Sequence, residues 1–192
     1  MSPPNPPEAE TLSAPQRVAR LIERAVAGLS RAALVLAGLT TLAIFGLVTA
    51  SVVTRYFFNR PQPWIDEAVG WLLVMSVMLA LPEVQRRGDH IGIDWLATRL
   101  SAPGRRLLLL FGLATVLISG AIFVVEGIEM VEFSRMIGVL SNQIPEVPLW
   151  AVQALIPAGF ALLLLVAGTQ FLCAMLGLRP RDMAETAHEE PA

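Results

Sequence analysis

Lysine is absent from this chain of 192 residues: all 14 basic residues are Arg. That absence reflects coding bias and excludes no chemistry. Only one Cys and one Tyr occur. The lone Cys173 excludes an internal disulfide, and deep in the last apolar stretch it reads as a small packing residue. Charge is scarce, at 16% of residues, against about 25% in soluble domains. The formal net charge of -2 gives no reason to expect a nucleic-acid partner. Catalytic signatures are missing too. There is no Gly-x-Ser-x-Gly, no His-Glu-x-x-His and no P-loop, and nothing suggests a cofactor.

What is present is apolar. Hydrophobic residues make up 55% of the chain, and mean hydropathy is +0.62. Charge-free runs extend over 32–54, 107–125 and 147–178, which are 23, 19 and 32 residues long. Crossing about 30 Å of hydrocarbon takes roughly 20 apolar residues. A fourth run, 68–82, is shorter, but Glu67 and Glu83 at its ends can reach the interface. The expected fold is an all-α membrane protein with four transmembrane helices, at about 32–54, 64–84, 106–128 and 148–176. Residues 1–12 and 179–192 read as polar, disordered tails around a membrane domain over 13–178. The first run is too long and begins too late for a cleaved signal peptide, so it reads as a retained anchor.

Eleven of the fourteen Arg lie before the first span, between the second and third, or after the fourth. The positive-inside rule puts those segments, and both termini, in the cytoplasm of a multi-pass membrane protein. The opposite face carries Glu126, Glu129, Glu132 and Glu146. Ser13 to Gln16 fits a helix-capping box. Arg17, Arg20, Arg24 and Arg31 then share a helical face, which suits an amphipathic extension lying at the membrane surface before turning in. Between spans two and three, Ile91, Trp95, Leu96 and Leu100 predict a short interfacial helix anchored by Trp95, with a simple cytoplasmic turn as the alternative. Pro148 can open the last helix. Pro157, one to two turns inside it, should kink it or sit near its start.

Candidate chemistry is thin. His90, beside Asp89 and four residues before Asp94, has metal-ligand spacing, but no third His or Cys lies nearby, so a turn-capping role is the better reading. His188 sits in a polar tail. Thr40, Thr41, Ser76, Thr115, Ser119 and Thr169 are the polar groups within the spans, and such groups more often tie helices together than bind ions. Glu126, Glu129 and Glu132 share one face, as a cation funnel would, or as an exposed helix end would.

Two polar stretches bracket the second span. The first holds Arg55, Tyr56, Phe58, Asn59, Pro61, Trp64 and Glu67: an aromatic belt, a turn, and carboxylates in the first turn of a helix, where the macrodipole favours them. Arg55 or Arg60 could pair there with Asp66 or Glu67. The second holds Arg87, Gly88, His90, Ile91 and Asp94. Together with Pro148, Trp150, Ile156, Pro157, Gly159 and Phe160 near the last span, they resemble the small permease subunit, the DctQ-like family, of tripartite ATP-independent periplasmic (TRAP) transporters. The resemblance covers roughly residues 20–178.

That resemblance implies a non-catalytic scaffold subunit. Its partners would be a large multi-span permease subunit carrying the substrate and sodium sites, a periplasmic binding protein delivering an organic acid, such as a C4-dicarboxylate or a sialic acid, and the lipid bilayer. Some family members are fused to the large subunit; a chain ending after four spans implies a separate one. Structural or partner-contact candidates are Arg55, Tyr56, Asn59, Trp64, Glu67, Arg87, His90, Asp94, Trp95 and Pro157. Two other readings compete: an independent small oligomeric channel or exporter, and an intramembrane enzyme using His90.

Overall fold

The computed structural model describes residues 14–87, 102–141 and 146–176. They form helices α1 (Ala14–Phe57), α2 (Pro63–Arg87), α3 (Ala102–Ile137), α4 (Leu149–Gln153) and α5 (Leu155–Met175). Four stretches are long and apolar enough to cross a membrane, the last of them running through α4 and α5. No strand occurs among the described residues, only one isolated bridge between Leu140 and Pro148. The expected all-α, four-span fold is therefore present.

The first helix departs from expectation. α1 is one unbroken helix of 44 residues, about 66 Å long. It continues without a break from the Arg-rich stretch into the first span. The stretch from Ala19 to Ala37 is part of the bundle: Ala19, Ala33 and Ala37 are buried, and Ser30 has no exposed surface. Small residues on that face let the neighbouring helices approach closely. The expected interfacial helix of the middle loop, with His90, Asp94 and Trp95, lies outside the described residues, as do both tails.

The fifth helix is the hub. α5 contacts α1, α2 and α3. It is apolar on every face, the pattern of a helix surrounded by others. Ala167 and Val166 are fully enclosed, with Leu163, Cys173 and Ala174 close behind. α3 runs antiparallel to α5, with Gly120 against Leu164 and Gly127 against Pro157. The rings of Phe123 and Phe160 stack at 4.5 Å between them. Outward faces stay apolar, as at Leu42 (68% exposed), Phe45 (74%) and Phe111 (70%), which suits lipid rather than water.

Two prolines shape the second span and the last. Pro157 has no N–H for the carbonyl of Gln153, four residues earlier, and α4 gives way to α5 at Ala154. Pro82 likewise leaves the carbonyl of Met78 without its helical donor. Gly159 of α5 packs against that spot: a Cβ there would lie 3.0 Å from Met78 O and 2.7 Å from Met78 Cβ. Only a residue without a side chain fits.

Candidate functional site, a buried charge network

α2 ends in Pro82-Glu83-Val84-Gln85-Arg86-Arg87. Helical geometry brings residues three and four apart onto one face, so both Arg side chains reach back to Glu83. Arg86 donates through Nε to Glu83 Oε2 at 2.7 Å and through Nη2 to Oε1 at 2.6 Å. Arg87 donates through Nε to Oε1 at 3.0 Å. A fourth donor crosses from α1: Ser30 Oγ to Glu83 Oε2, 2.7 Å. The Glu83 side chain is 1% exposed and that of Arg86 8%. Taking an ionised carboxylate out of water costs several kcal/mol unless its lone pairs are filled; here both oxygens accept two hydrogen bonds each. Sequence reasoning had this carboxylate reaching the interface. It turns inward instead, because its two nearest cations sit on its own helix and Ser30 closes the remaining side.

A second polar pair sits beside it. Gln85 Nε2 donates to Gln170 Oε1 at 3.2 Å. Gln170 Nε2 donates to the carbonyls of Gln85 (3.3 Å) and Arg86 (3.1 Å). Those carbonyls lie in the last turn of α2, where no helical N–H follows to take them. Gln170 thus closes the end of α2 from the middle of α5. A small cavity adjoins, with Glu23, Arg86, Thr169 and Gln170 as its polar lining. Ser30, Glu83 and Gln170 together fasten α1, α2 and α5 at one level.

Chemically, the carboxylate of the network is consumed by its own contacts. Glu83 has no lone pair left for a substrate proton or a cation. Its charge is matched by Arg86, and Arg87 adds a half-exposed cation at the rim. Of the hydroxyls in the spans, Thr41 and Ser76 tie α1 to α2 at 2.9 Å. Thr40, Thr115, Ser119 and Thr169 bond back to carbonyls of their own helices.

The opposite end carries the first polar stretch. α1 stops where Asn59 adopts a left-handed backbone (φ 51), a conformation Asn tolerates better than most residues. Arg60 N–H then returns to Thr54 O at 3.0 Å. Trp64 Nε1 donates to Gln62 Oε1 at 2.9 Å. Tyr56, Phe57 and Phe58 are largely exposed. Arg55 reaches Asp66 at 3.7 Å, with side chains 52% and 69% exposed. Glu67 is not in that pair; its Oε2 is buried without a hydrogen-bond partner among the described residues. Gly138 (φ 71) closes α3. Just before it, Arg135 lies over the Trp150 ring, 5.6 Å from its centroid. Glu126, Glu129 and Glu132 are exposed along α3.

The model of the DctQ component of tripartite ATP-independent periplasmic transporters matches residues 44–177. The chain belongs to this family. It is 32% identical over 100 residues to the C4-dicarboxylate TRAP transporter small permease protein DctQ of Rhodobacter capsulatus, covering 52% of this chain and 44% of that one. It is 31% identical over 71 residues to the sialic acid TRAP transporter permease protein SiaT of Haemophilus influenzae (strain 86-028NP), covering 37% of this chain and 12% of that one. The chain thus matches less than half the length of either relative. Glu83, Arg86, Arg87 and Gln170 fall inside the segment that defines the DctQ component, and Ser30 falls before it.

The sequence candidates divide accordingly. Arg87 belongs to the network, and Pro157 sets the break in the last span. Arg55, Tyr56, Asn59, Trp64 and Glu67 cluster at the far end. Ser30, Gln85, Arg86 and Gln170 were missed. The Glu-x-x-Arg-Arg spacing was a visible signal for Glu83; a lone Gln in an apolar run was the signal for Gln170.

Proposed function

We propose that this chain is a non-catalytic small membrane subunit of a TRAP transporter, acting as a rigid scaffold for a large multi-span permease subunit. The observation that carries the reading is the Glu83 network. Glu83 and Arg86 are the charged residues buried among the described residues, and they are spent on holding three helices together. A transport site needs polar groups available to its cargo within the membrane; the Glu83 carboxylate is not available, because both its oxygens already accept two hydrogen bonds. Membership of a transporter family supports a role in transport rather than catalysis.

The finer reading is sodium-coupled uptake of an organic acid handed over by a periplasmic binding protein. It draws on the family and on relatives whose names specify C4-dicarboxylate and sialic acid, both carboxylates. Both termini would lie in the cytoplasm, following the Arg-rich ends. The aromatic outer turn, with Tyr56, Asn59, Trp64 and Glu67, would meet a partner. Affinity purification of the chain from its native membrane should bring down a large multi-span protein, and sodium-dependent uptake in vesicles should require both. Uptake by the purified chain alone would overturn the scaffold reading in favour of an independent channel or exporter.

A further inference from the structure

We propose that the outward face of α1 formed by Arg24, Gly28 and Arg31 binds the headgroup of an anionic phospholipid, with the acyl chains lying along Val35, Leu39 and Leu42. This inference does not depend on the scaffold reading, and all six positions of the face lie before the segment that defines the family. Steps of four, three, four, four and three residues put all six positions on one stripe of the helix. All six are exposed. Space beside Gly28 is open: a Cβ built there meets nothing within 4 Å. The stripe therefore has two guanidinium groups at one end, a shallow gap between them and an unbroken apolar surface beyond, which is the polarity of a phospholipid.

Depth and charge both point to lipid. Ser30 is level with Glu83, and the neighbouring Gln85 is level with Gln170 of α5. Gly120 packs on Leu164, so Gln170, six residues further along α5, is level with Ala114, six residues back on α3. Ala114 is inside the charge-free run 107–125. Arg31 therefore sits at a level where α3 is still apolar, so it meets the hydrocarbon boundary rather than bulk water. A cation held there needs an anion beside it. The carboxylates described at this end are taken: Glu23 by Arg20 at 2.8 Å, Glu83 by Arg86 and Arg87. Among the described residues neither Arg24 nor Arg31 has an ion pair. A lipid phosphate supplies the missing charge, and Arg suits it through paired N–H donors.

The test is lipid selectivity measured with spin-labelled phosphatidylglycerol against spin-labelled phosphatidylcholine, using the full chain in phosphatidylcholine vesicles. The wild type should hold the anionic lipid preferentially. Arg24→Gln with Arg31→Gln should lower the selectivity ratio at least about twofold, in line with the attraction each surface Arg exerts on anionic lipid. The pair Arg24→Lys and Arg31→Lys should keep most of it, and Arg55→Gln, at the opposite end, should leave it unchanged. Wild-type selectivity in the Gln pair, or an equal loss in Arg55→Gln, overturns the proposal. So does displacement of the labelled lipid by 20 mM inorganic phosphate, which would assign the site to a free anion. Loss of selectivity when the chain is purified together with a bound membrane protein also overturns it, because the face would then be a protein interface.

Discussion

The two ends of the bundle use the same functional groups to opposite effect. At the Arg-rich end, Glu83 and Arg86 meet with paired, short hydrogen bonds and almost no exposure. At the other end, Arg55 and Asp66 approach to 3.7 Å with more than half of each side chain in contact with the surroundings. An Arg–carboxylate pair gains little where its groups stay solvated. Once it is buried, its integrity decides whether neighbouring helices can stay together, because each partner left alone is an uncompensated charge. The Asn59 end is held by backbone instead: a left-handed Asn59, the return of Arg60 to Thr54, and the glycine that closes α3. One end is fastened by side chains, the other by turns.

The largest expected effect follows from breaking the buried pair. Glu83→Ala should cost about 3–5 kcal/mol, by leaving Arg86 buried without its carboxylate. Thermal unfolding in detergent would read this as a large drop in midpoint. Replacing both groups, with Glu83→Leu and Arg86→Met, should cost less than the single change, since an apolar pair leaves no charge stranded. A double-mutant cycle that shows simple additivity would refute the coupling. Next in size is the glycine contact. Gly159→Val should cost about 1–3 kcal/mol through overpacking against Met78, whereas Gly46→Ala, facing open space, should change the midpoint little.

Gln170→Leu should fall in a similar or smaller range, about 1–3 kcal/mol, because two carbonyls at the end of α2 lose their donor. Detergent-phase hydrogen exchange should then show faster exchange confined to the last turns of α2. Smallest of all, Arg55→Ala or Asp66→Asn should shift stability by less than about 1 kcal/mol, and added salt should shrink even that. If Arg55→Ala proves as damaging as Glu83→Ala, the contrast between the two ends collapses.

The four spans were legible because hydrocarbon thickness imposes a length that charge-free runs report directly. Pro157 was legible for a similar local reason: a missing N–H acts on the carbonyl four residues away, whatever the fold. The Glu83 network was only half legible. Its two Arg partners lie three and four residues on, a spacing visible in the chain. Ser30 and Gln170 are 53 and 87 positions away from Glu83, and which of them share a level depends on how three helices are set against one another. No periodicity within one helix carries that offset. The packing of α1 was misread for a related reason. A run of Arg suggested a surface helix, but the alternate face, with Ala19, Ser30, Ala33 and Ala37, packs within the bundle.

The placement of both Arg partners on α2 itself has a consequence for how the protein is made. An apolar helix carrying a lone carboxylate would resist leaving the translocation machinery for lipid. In α2 the carboxylate finds its countercharges as soon as the last turns coil, without help from another span. The segment can therefore partition sideways as a pre-neutralised unit. The hydroxyl of Ser30 comes from a helix made before it, and the amide of Gln170 from one made after it, so the last lock closes only when α5 arrives.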